Sequence, residues 1–570
     1  MKDDSVKEPL IIRKVEDPSG RLTLFCTRMG PKGKLESGIP FAGLYIETQP
    51  QTHGTIHRRP AYLSQLHNLL SNAGTDLTGI IRDRLGAWPF DNHLNLLHTR
   101  LLLIIGLPKT RNENGVIEEV EYWAFCSAFD IGKIGEDIGI WQVHQGTAGK
   151  LLKPDLTKTG ENIAIIHLNP TPAFSREQAI RCNGLAADDE KDVVAVGIGA
   201  LGSQVIMNLF RMGFRKWHFV DNDLMLPHNL ARHALTDYVG YSKAFGMKLE
   251  AQNIFGEECD VEPIVANILE PGEMSNKIES VLKNANVILD MAVCVPVSRM
   301  LARDVISDAR RCSLFLSPTA KDCVLLIEDL DRHIKLDYLE MVYYRNIATD
   351  PAFADHFADE VGRIRYGGSC RDITVTIRQD LVALHAAVGA GTIRDVLSSK
   401  SPRLWLWRAD REIRSVTHYE FEVTDVIELS DNGWTVCYDR WLSEKIRRLR
   451  SVKLPNETGG VLIGSYDMQR KIIYVVDTIL APPDSVEYPY AFIRGNAGLR
   501  QELQGISKRS GGNLKYVGEW HSHPGACSPS SDDSKVFAWI EEGLAPHGYP
   551  PLMIIMGDQA EAAIFVNNMA

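Results

Sequence analysis

The residues best suited to metal-ion catalysis lie near the C-terminal end of the chain, in the stretch WHSHPGACSPSSDD that ends at Asp533. His521 and His523 are one residue apart, so both imidazoles point to the same side of an extended strand and can reach one ion. Neutral imidazole is a good zinc ligand. Either of the two aspartates that follow, Asp532 or Asp533, could add a carboxylate. The stretch therefore predicts a zinc site.

A second set of residues, in the middle of the chain, has the spacing of a nucleotide site. DVVAVGIGALGSQVIMNLFRMG combines an apolar strand, the glycines Gly197, Gly199 and Gly202, and a helix. The glycines permit a tight turn and a close approach of backbone to phosphate, and the helix N-terminus offers free N–H groups. Asp221 ends the next strand, where a carboxylate usually accepts hydrogen bonds from ribose hydroxyls. GxGxxG alone would indicate only a tight turn, but this context predicts a nucleotide.

The segment after Asp221 indicates which nucleotide chemistry to expect. It contains Asp223, Asn229, Arg232 and Lys243. A dehydrogenase has no need of two cations here, whereas a triphosphate needs them to hold its charge and to stabilise leaving pyrophosphate. Further on, Asp290 ends the predicted strand NVILD, where ligands bind in open parallel sheets and where a carboxylate suits magnesium on phosphates.

As a set, these motifs resemble the adenylating domain of the ThiF/MoeB/HesA and ubiquitin-activating enzyme superfamily. The matching pieces are GIGALGS, the DND…HNLARH block, Lys243 after VGYSK and Asp290 in ILDMAV, over roughly residues 172–400. FSREQAIRCNG upstream resembles the family's Tyr-x-Arg-Gln segment. The sequence departs from the family at His233, where glutamine is usual, and it lacks the zinc-binding CxxC pairs of many bacterial members.

The resemblance implies that ATP and magnesium adenylate the C-terminal carboxylate of a ubiquitin-like protein. It also implies a homodimer formed through this domain. Asp221 would hold the ribose, Asn229 would support the phosphate loop, and Asp290 would hold magnesium. The phosphates would be held by Arg232, Lys243 and Arg176, the last reaching into the partner protomer's site.

Ubiquitin-activating members of the superfamily then form a thioester on a cysteine in a later loop. Cys370 follows two glycines, stands between Arg365 and Arg371, and precedes a predicted helix. Nearby cations lower the pKa of a thiol and favour the thiolate, so we predict Cys370 as the nucleophile. A buried structural role fits the cysteines in apolar strands better, namely Cys294, Cys312 and Cys323.

The C-terminal motifs resemble the JAMM metalloprotease pattern, Glu…His-x-His-Pro…Ser-x-x-Asp, over about residues 432–570. By this resemblance two histidines and one aspartate hold zinc, Glu457 is the general base, and a serine donates a hydrogen bond to the oxyanion. The family usually places its last ligand one residue later, where this chain has Ser534. A loop shortened by one residue makes Asp533 the ligand and Ser530 the serine, and leaves Asp532 as the rival.

Three functional hypotheses are compatible with these motifs. The first is a bacterial conjugation enzyme that adenylates a ubiquitin-like protein, forms a thioester on Cys370, and processes or removes that protein with its peptidase. The second is activation and processing of a sulfur carrier, which needs no thioester at Cys370. The third is a scaffold with degenerate sites, against which the complete motif sets weigh.

These motifs must be positioned by an α/β multidomain chain. We expect an N-terminal α+β domain at residues 1–165, a Rossmann-like adenylating domain with a mainly parallel sheet at 170–410, and an α/β JAMM domain of cytidine-deaminase-like fold at 425–570. The N-terminal domain is expected to dock the ubiquitin-like protein or a separate conjugating enzyme. A conjugating-enzyme-like fold with a transfer cysteine at Cys126 is conceivable, but Cys126 lies in an apolar run that favours a core position.

Composition limits the remaining classes. The 570 residues are 44% apolar and 24% charged with a net charge of −11, as in soluble globular proteins, so a nucleic-acid partner is not expected. The longest apolar run, LLLIIGL, is far below the roughly 20 residues of a membrane span. Ten scattered cysteines without a CxxC pair indicate a cytoplasmic setting. The basic run EKIRRLRSVK is interpreted as the solvated face of a helix.

Overall fold

The computed structural model describes the chain except for residues 1–9, 17–21, 29–40, 55–57, 88–95, 113–114, 145–146, 172–173, 188, 257–258, 358–362, 366–372, 398, 411, 413, 560–561 and 567–570. It divides into two compact units, Met1–Ala173 and Phe174–Ala570. The second unit contains both predicted catalytic segments. None of the helices described in either unit has the length and apolar character needed to cross a membrane.

In the residues described, the first unit is a mixed sheet with three α-helices. Its elements are β1 (Leu10–Glu16), β2 (Leu22–Arg28), β3 (Phe41–Glu47), β4 (Gln51–Thr52), α1 (Leu63–Ser71), α2 (Leu77–Ala87), β5 (Arg100–Thr110), β6 (Ile117–Asp130), α3 (Ile131–Asp137), β7 (Trp141–His144), β8 (Thr147–Lys150) and β9 (Ile165–Leu168). The main sheet has the order β2-β1-β3-β5-β6-β9, with β4 beside β5. Cys126 lies buried in β6, and burial raises the pKa of its thiol, which disfavours a transfer nucleophile there.

The first part of the second unit is an α/β layer structure. Its elements are α4 (Arg176–Cys182), β10 (Asp192–Val196), α5 (Ala200–Arg211), β11 (Lys216–Val220), α6 (Lys243–Phe255), β12 (Asp260–Ile264), α7 (Ser275–Asn284), β13 (Val287–Asp290), α8 (Val295–Arg303), β14 (Arg310–Leu316), β15 (Asp322–Ile327), α9 (Leu336–Thr349), β16 (Arg363–Arg365), β17 (Ile373–Val375), α10 (Gln379–Val396), β18 (Arg403–Asp410) and β19 (Ser415–Glu420).

The eight-stranded sheet of this part has the order β12-β11-β10-β13-β14-β15-β18-β19, and its first five strands are parallel. β10 and β13 are apolar and buried because helices cover both faces of a parallel sheet. Each of the last three strands pairs antiparallel with the strand before it in this order. For β15 the reason is that only residues 317–321 connect it to β14, too few for a parallel crossover. The strand order reverses between β10 and β13, so a ligand site is expected at their carboxyl ends.

The C-terminal part has a seven-stranded sheet of its own. Its elements are β20 (Val426–Asp431), β21 (Trp434–Asp439), α11 (Arg440–Lys453), β22 (Gly459–Asp467), β23 (Ile472–Leu480), β24 (Val486–Tyr488), β25 (Ala491–Ile493), α12 (Leu499–Arg509), β26 (Lys515–Ser522), α13 (Ser531–Leu544), β27 (Leu552–Met556) and β28 (Ala563–Val566). The order is β20-β21-β23-β22-β26-β27-β28. Side chains alternate along β27, so that Ile554 packs with α11 residues and Ile555 with α13 residues. The two helices therefore cover opposite faces.

The two parts of the second unit share one apolar core. Helix α9 is buried along most of its length, and its Leu339 and Val342 belong to the same cluster as Val461 and Tyr474 of the C-terminal sheet. The eight-stranded sheet ends with β19 and the seven-stranded sheet begins with β20, but this core contains residues from both parts. The predicted division of the chain into three domains stays a prediction.

Candidate functional site

Three predicted ligands converge at the C-terminal end of β26. His521 Nε2 lies 3.0 Å from Asp533 Oδ1, His523 Nε2 lies 3.4 Å from Asp533 Oδ2, and the two Nε2 atoms are 3.1 Å apart. One ligand atom from each residue lies within 4.8 Å of the other two. Two imidazoles and a carboxylate are a donor set that zinc accepts in catalytic sites, with a fourth position for water. The arrangement fits zinc.

Asp533 and Asp532 occupy different environments although they are adjacent. Asp533 is buried at the first turn of α13 and faces both histidines. Asp532 is exposed and pairs with Lys535 at 2.7 Å. Ser530 begins the helix: its hydroxyl accepts a hydrogen bond from Asp533 N (3.2 Å), and its own N–H donates to Asp533 Oδ2 (2.6 Å). This reciprocal cap fixes Asp533, and it leaves the Ser530 hydroxyl hydrogen available to donate.

The ring of His523 is oriented by the loop that follows it. Its Nδ1 lies 3.1 Å from the carbonyl oxygen of Ala526, so Nδ1–H donates to that oxygen and the ring presents Nε2 to the cluster. The His523 N–H donates to Met556 O at 3.0 Å, which ties the loop to the end of β27. His521 is held by the sheet, where it pairs with Gly459 of β22.

Glu457 is placed beside the cluster by the same strand pairing. It precedes β22, its N–H donates to Tyr488 O at 2.8 Å, and it is buried. Burial raises the pKa of Glu457, while the histidines act in the opposite direction and Asp533 adds to the rise. A carboxylate with a raised pKa next to a metal-ligand set is suited to accept and return protons.

The charge balance of the cluster favours an ionised Asp533. Burial alone would raise the pKa of Asp533, but hydrogen bonds from His521 and His523 bring it well below the usual value. The hydrogen bond to Asp533 raises the pKa of His523.

The predicted nucleotide loop joins β10 to α5. Gly197 has φ +85°, and a Cβ there would lie 2.6 Å from Ala292 Cα, so the loop needs glycine both for its backbone angle and for its contact with the segment after β13. A Cβ on Gly202 would lie 2.5 Å from Gly197 O, whereas one on Gly199 would meet nothing within 4 Å. Gly199 caps α5 and leaves room at the helix N-terminus for a phosphate.

Asp221 and His233 both hold this loop through hydrogen bonds to the backbone of Ile198. The Asp221 carboxylate accepts hydrogen bonds from Ile198 N (2.6 Å) and Asp223 N (2.7 Å). Buried His233 accepts a hydrogen bond at Nδ1 from Leu235 N (3.1 Å), so its Nε2–H donates to Ile198 O (2.9 Å). Burial lowers the pKa of His233 to about 4, so the ring is neutral at pH 7. The residue that departs from the family pattern therefore fixes the loop.

The polar segment after β11 is organised around Asp223 and Asn229. Lys243 Nζ lies 2.9 Å from Asp223 Oδ2, at the buried first turn of α6. The side-chain oxygen of Asn229 accepts a hydrogen bond from Leu226 N (2.8 Å), and its backbone carbonyl oxygen accepts one from His233 N (2.8 Å). Arg232 Nη1 donates to Ile377 O at 3.2 Å.

Asp290 ends β13, next to the point where the strand order reverses between β10 and β13, and is 2% exposed. Its carboxylate accepts from the Ser298 hydroxyl, from the Ser313 hydroxyl (3.3 Å) and from Ala292 N (3.1 Å). Burial raises the pKa of Asp290. These contacts occupy three of the roughly four acceptor positions of the carboxylate and leave one on Oδ1. The magnesium-binding role of Asp290 stays a prediction.

The remaining predicted residues lie apart from both sites or outside the described part. Arg176 begins α4 and packs against Gly213, beyond the C-terminal end of α5 and thus at the opposite end of that helix from Gly199. Cys370 lies outside the described residues. Of the three cysteines predicted to be structural, Cys312 and Cys323 are buried, and burial raises the pKa of Cys312 to about 12.

Two family models match the chain, each over a range that contains one of the two sites. A model of the ThiF family matches residues 178–310, and a model for prokaryotic homologs of the JAB domain matches residues 440–567. The CD-NTase/cGAS isopeptidase of Enterobacter hormaechei subsp. hoffmannii (strain UCI 50) is 41% identical over 103 residues, which cover 18% of this chain and 56% of that protein.

Two further curated proteins are similar over shorter or more distant stretches. The ATP-dependent ubiquitin transferase-like protein Cap2 of the same strain is 44% identical over 68 residues, 11% of each chain. The CD-NTase/cGAS isopeptidase of Escherichia coli (strain TW11681) is 31% identical over 123 residues, 20% of this chain and 74% of that protein. The chain thus spans about half the length of the first relative and about a tenth of Cap2.

Solved structures resemble the chain weakly. PaaA gives a TM-score of 0.29 at 15% identity over 44% of this chain and 67% of its own. E. coli MccB with ATP gives 0.26 at 16% identity over 40% and 64%. The assignment therefore depends on the family matches and the curated relatives. Through residues 440–567 the chain belongs to the prokaryotic homologs of the JAB domain, and it carries a ThiF-family domain at residues 178–310.

Proposed function

We propose that this chain activates a ubiquitin-like protein with ATP and also cleaves after the C-terminus of that protein with a zinc peptidase. The observation that carries the proposal is the cluster of His521, His523 and Asp533 beside buried Glu457, in the same unit as the glycine loop of a ThiF-family domain. The names of the E. hormaechei relatives, an isopeptidase and a ubiquitin transferase-like protein, support the pairing.

In the activation half, the residues mainly bind and align ATP and the carboxylate. The N-terminus of α5 at Gly199 receives a phosphate, and Asp221 faces the ribose. Lys243 and Arg232 offset the charge that develops as pyrophosphate leaves. The carboxylate of the ubiquitin-like protein attacks the α-phosphorus, which forms an acyl adenylate and releases pyrophosphate. Cys370 then attacks the acyl carbon, which forms a thioester and releases AMP.

In the peptidase half, zinc held by His521, His523 and Asp533 would supply a bound water of lowered pKa. Glu457 takes a proton from the attacking water and returns it to the leaving amine. The Ser530 hydroxyl donates a hydrogen bond to the oxyanion that forms at the scissile carbonyl. A peptide or isopeptide bond is cleaved, and the ubiquitin-like C-terminus regains its carboxylate, which is the group that the other half activates.

The first test is ATP–pyrophosphate exchange on the full chain with candidate small ubiquitin-like proteins, sought first in the neighbouring genes. We expect exchange with the wild type and with Cys370→Ala, and a thioester that is sensitive to reducing agent only with the wild type. Absence of exchange with the wild type would contradict the activation half. Attachment of the small protein to targets by Cys370→Ala would refute the thioester.

The second test uses the same small protein fused at its C-terminus to a fluorescent protein. We expect the wild type to release the fluorescent protein and 1,10-phenanthroline in excess magnesium to stop the release without stopping pyrophosphate exchange. Cleavage that survives removal of all transition metals would contradict the peptidase half.

A further inference from the structure

Helix α11 is linked to two segments of the peptidase site, the metal-ligand loop at His523 and the segment that carries Glu457. Near its C-terminal end, Arg450 Nε donates to the carbonyl oxygen of His523 and Arg450 Nη2 donates to that of Pro524, both at 2.8 Å. One rigid guanidinium thus holds two successive carbonyls of the metal-ligand loop. Both donors are aimed at the backbone, so Arg450 fixes where the loop runs and leaves the orientation of the His523 ring to Ala526.

Lys453, the last residue of α11, is linked to the segment that carries Glu457. Lys453 Nζ lies 2.6 Å from Glu487 Oε2, and Glu487 Oε1 accepts from the Thr458 hydroxyl at 2.6 Å. Thr458 follows Glu457 directly, and its backbone exchanges hydrogen bonds with Ser522, which lies between the two metal-ligand histidines. The helix is therefore linked to the general base as well as to a metal ligand.

The opposite end of α11 is anchored by the ThiF-containing part of the chain. Asp439 caps the helix by accepting from Leu442 N at 2.9 Å, and its other oxygen lies 2.9 Å from Arg345 Nη1 of α9. Asp439 is fully buried and Arg345 is 5% exposed. The Arg345 guanidinium also lies over the Trp441 ring, 4.2 Å from its centroid. A paired charge in this position holds the helix end firmly, because either charge alone would be costly to bury.

We infer that α11 is a brace that fixes His523 relative to Glu457, with Arg450 as a positioning residue, and that Arg345 anchors the brace from outside the JAB match. The inference rests on the proposed peptidase function and deepens it. It makes the geometry of the metal site depend on a residue nearly one hundred positions before the JAB match begins.

The experiment compares Arg450→Ala, Arg450→Lys and the control Arg448→Ala in the full chain, since Arg448 is an exposed residue of the same helix. Zinc affinity is measured by competition with a chromophoric chelator, and Co²⁺ absorption reports ligand geometry. We expect zinc affinity to fall about tenfold in Arg450→Ala and by less in Arg450→Lys. In Arg448→Ala we expect the zinc affinity and the Co²⁺ spectrum of the wild type. In cleavage, kcat should fall more than KM rises. Wild-type zinc affinity and Co²⁺ spectrum in Arg450→Ala would overturn the inference.

The anchor is tested with the pair Arg345→Met and Asp439→Asn in one chain. Asparagine keeps the helix cap and the pair leaves no unpaired buried charge, so folding is preserved. We expect weakened zinc binding with unchanged ATP–pyrophosphate exchange, and unchanged zinc binding would refute the anchor.

Hydrogen exchange of the metal-free chain separates this inference from the proposed function. The His523 amide should exchange faster in Arg450→Ala than in the wild type and in Arg448→Ala. Equal exchange rates would overturn the brace. A wild type that binds no zinc, together with faster exchange in Arg450→Ala, would overturn the peptidase proposal and leave the brace supported.

Discussion

The buried ring of His233 should make the nucleotide loop sensitive to acid. In the folded chain the pKa of His233 is about 4, because burial disfavours the charged ring and Lys243 adds to the fall, while the hydrogen bond to Ile198 O acts in the opposite direction. In the unfolded chain the pKa is about 6.5. The unfolded state therefore binds more protons between these values. The stability that depends on the neutral ring is complete above pH 6.5 and is lost as the pH falls toward 4.

The size of this effect follows from the two pKa values. At pH 5 the linkage relation gives a loss of about 2 kcal/mol relative to pH 7.5, and it approaches about 3.4 kcal/mol below pH 4. His233→Gln is the informative change, because the amide can donate to Ile198 O and accept from Leu235 N but does not titrate. We expect the variant to resemble the wild type at pH 7.5 and to exceed it by about 2 kcal/mol at pH 5.

The assay is hydrogen exchange against urea, read on peptides from α5, because it reports the unfolding free energy of this segment without requiring the whole chain to unfold in one step. Wild type and His233→Gln are compared at pH 7.5 and pH 5, with correction for the intrinsic exchange rate at each pH. Other titrating groups contribute equally to both proteins. If the two proteins lost the same free energy between these pH values, His233 would not be the neutral buried group described here.

Three further predictions concern the sites directly. Asp533→Ala should lose bound zinc whereas Asp532→Ala keeps it, as measured by elemental analysis of the dialysed chain, and zinc loss in Asp532→Ala alone would reverse the ligand assignment. Glu457→Gln should keep zinc but cleave a fusion substrate about 10² to 10⁴ times more slowly, and wild-type turnover would exclude it as the base. Gly202→Ala should destabilise the loop by about 1–3 kcal/mol in thermal unfolding, because its Cβ would lie 2.5 Å from Gly197 O. Gly199→Ala should lower stability by less than about 1 kcal/mol, because it changes only a helix cap with open space around it. Equal losses of stability in Gly199→Ala and Gly202→Ala would contradict this steric argument.

Local patterns in the sequence predict the two histidines of the metal cluster but not which aspartate joins them. The alternation along an extended strand places His521 and His523 on one side, and the structure brings Asp533 to them. The choice between Asp533 and Asp532 needed a family spacing, because both residues belong to the first turn of one helix and their directions depend on its cap. The predicted α/β architecture is also present, and the glycine loop follows β10 as its motif indicates.

Contacts between distant segments could not be predicted in the same way. The basic run ending at Lys453 was interpreted as a solvated helix face, which is correct for exposed Arg448 but not for Arg450, whose donors face the His523 loop. Arginine side chains in a helical run look alike in sequence, and only the packing of α11 on the sheet decides which one turns inward. Likewise, nothing near Arg345 in the sequence indicates that its partner is Asp439.

The apolar cluster that α9 shares with the C-terminal sheet limits how this chain can be taken apart. A fragment beginning at residue 425 would keep every predicted ligand of the peptidase but would present Val461, Ile463 and Tyr474 to water. Such an exposed patch promotes self-association, so insolubility of the fragment would say nothing about its chemistry. A usable isolated peptidase would need polar replacements on that face, or α9 supplied as a second polypeptide.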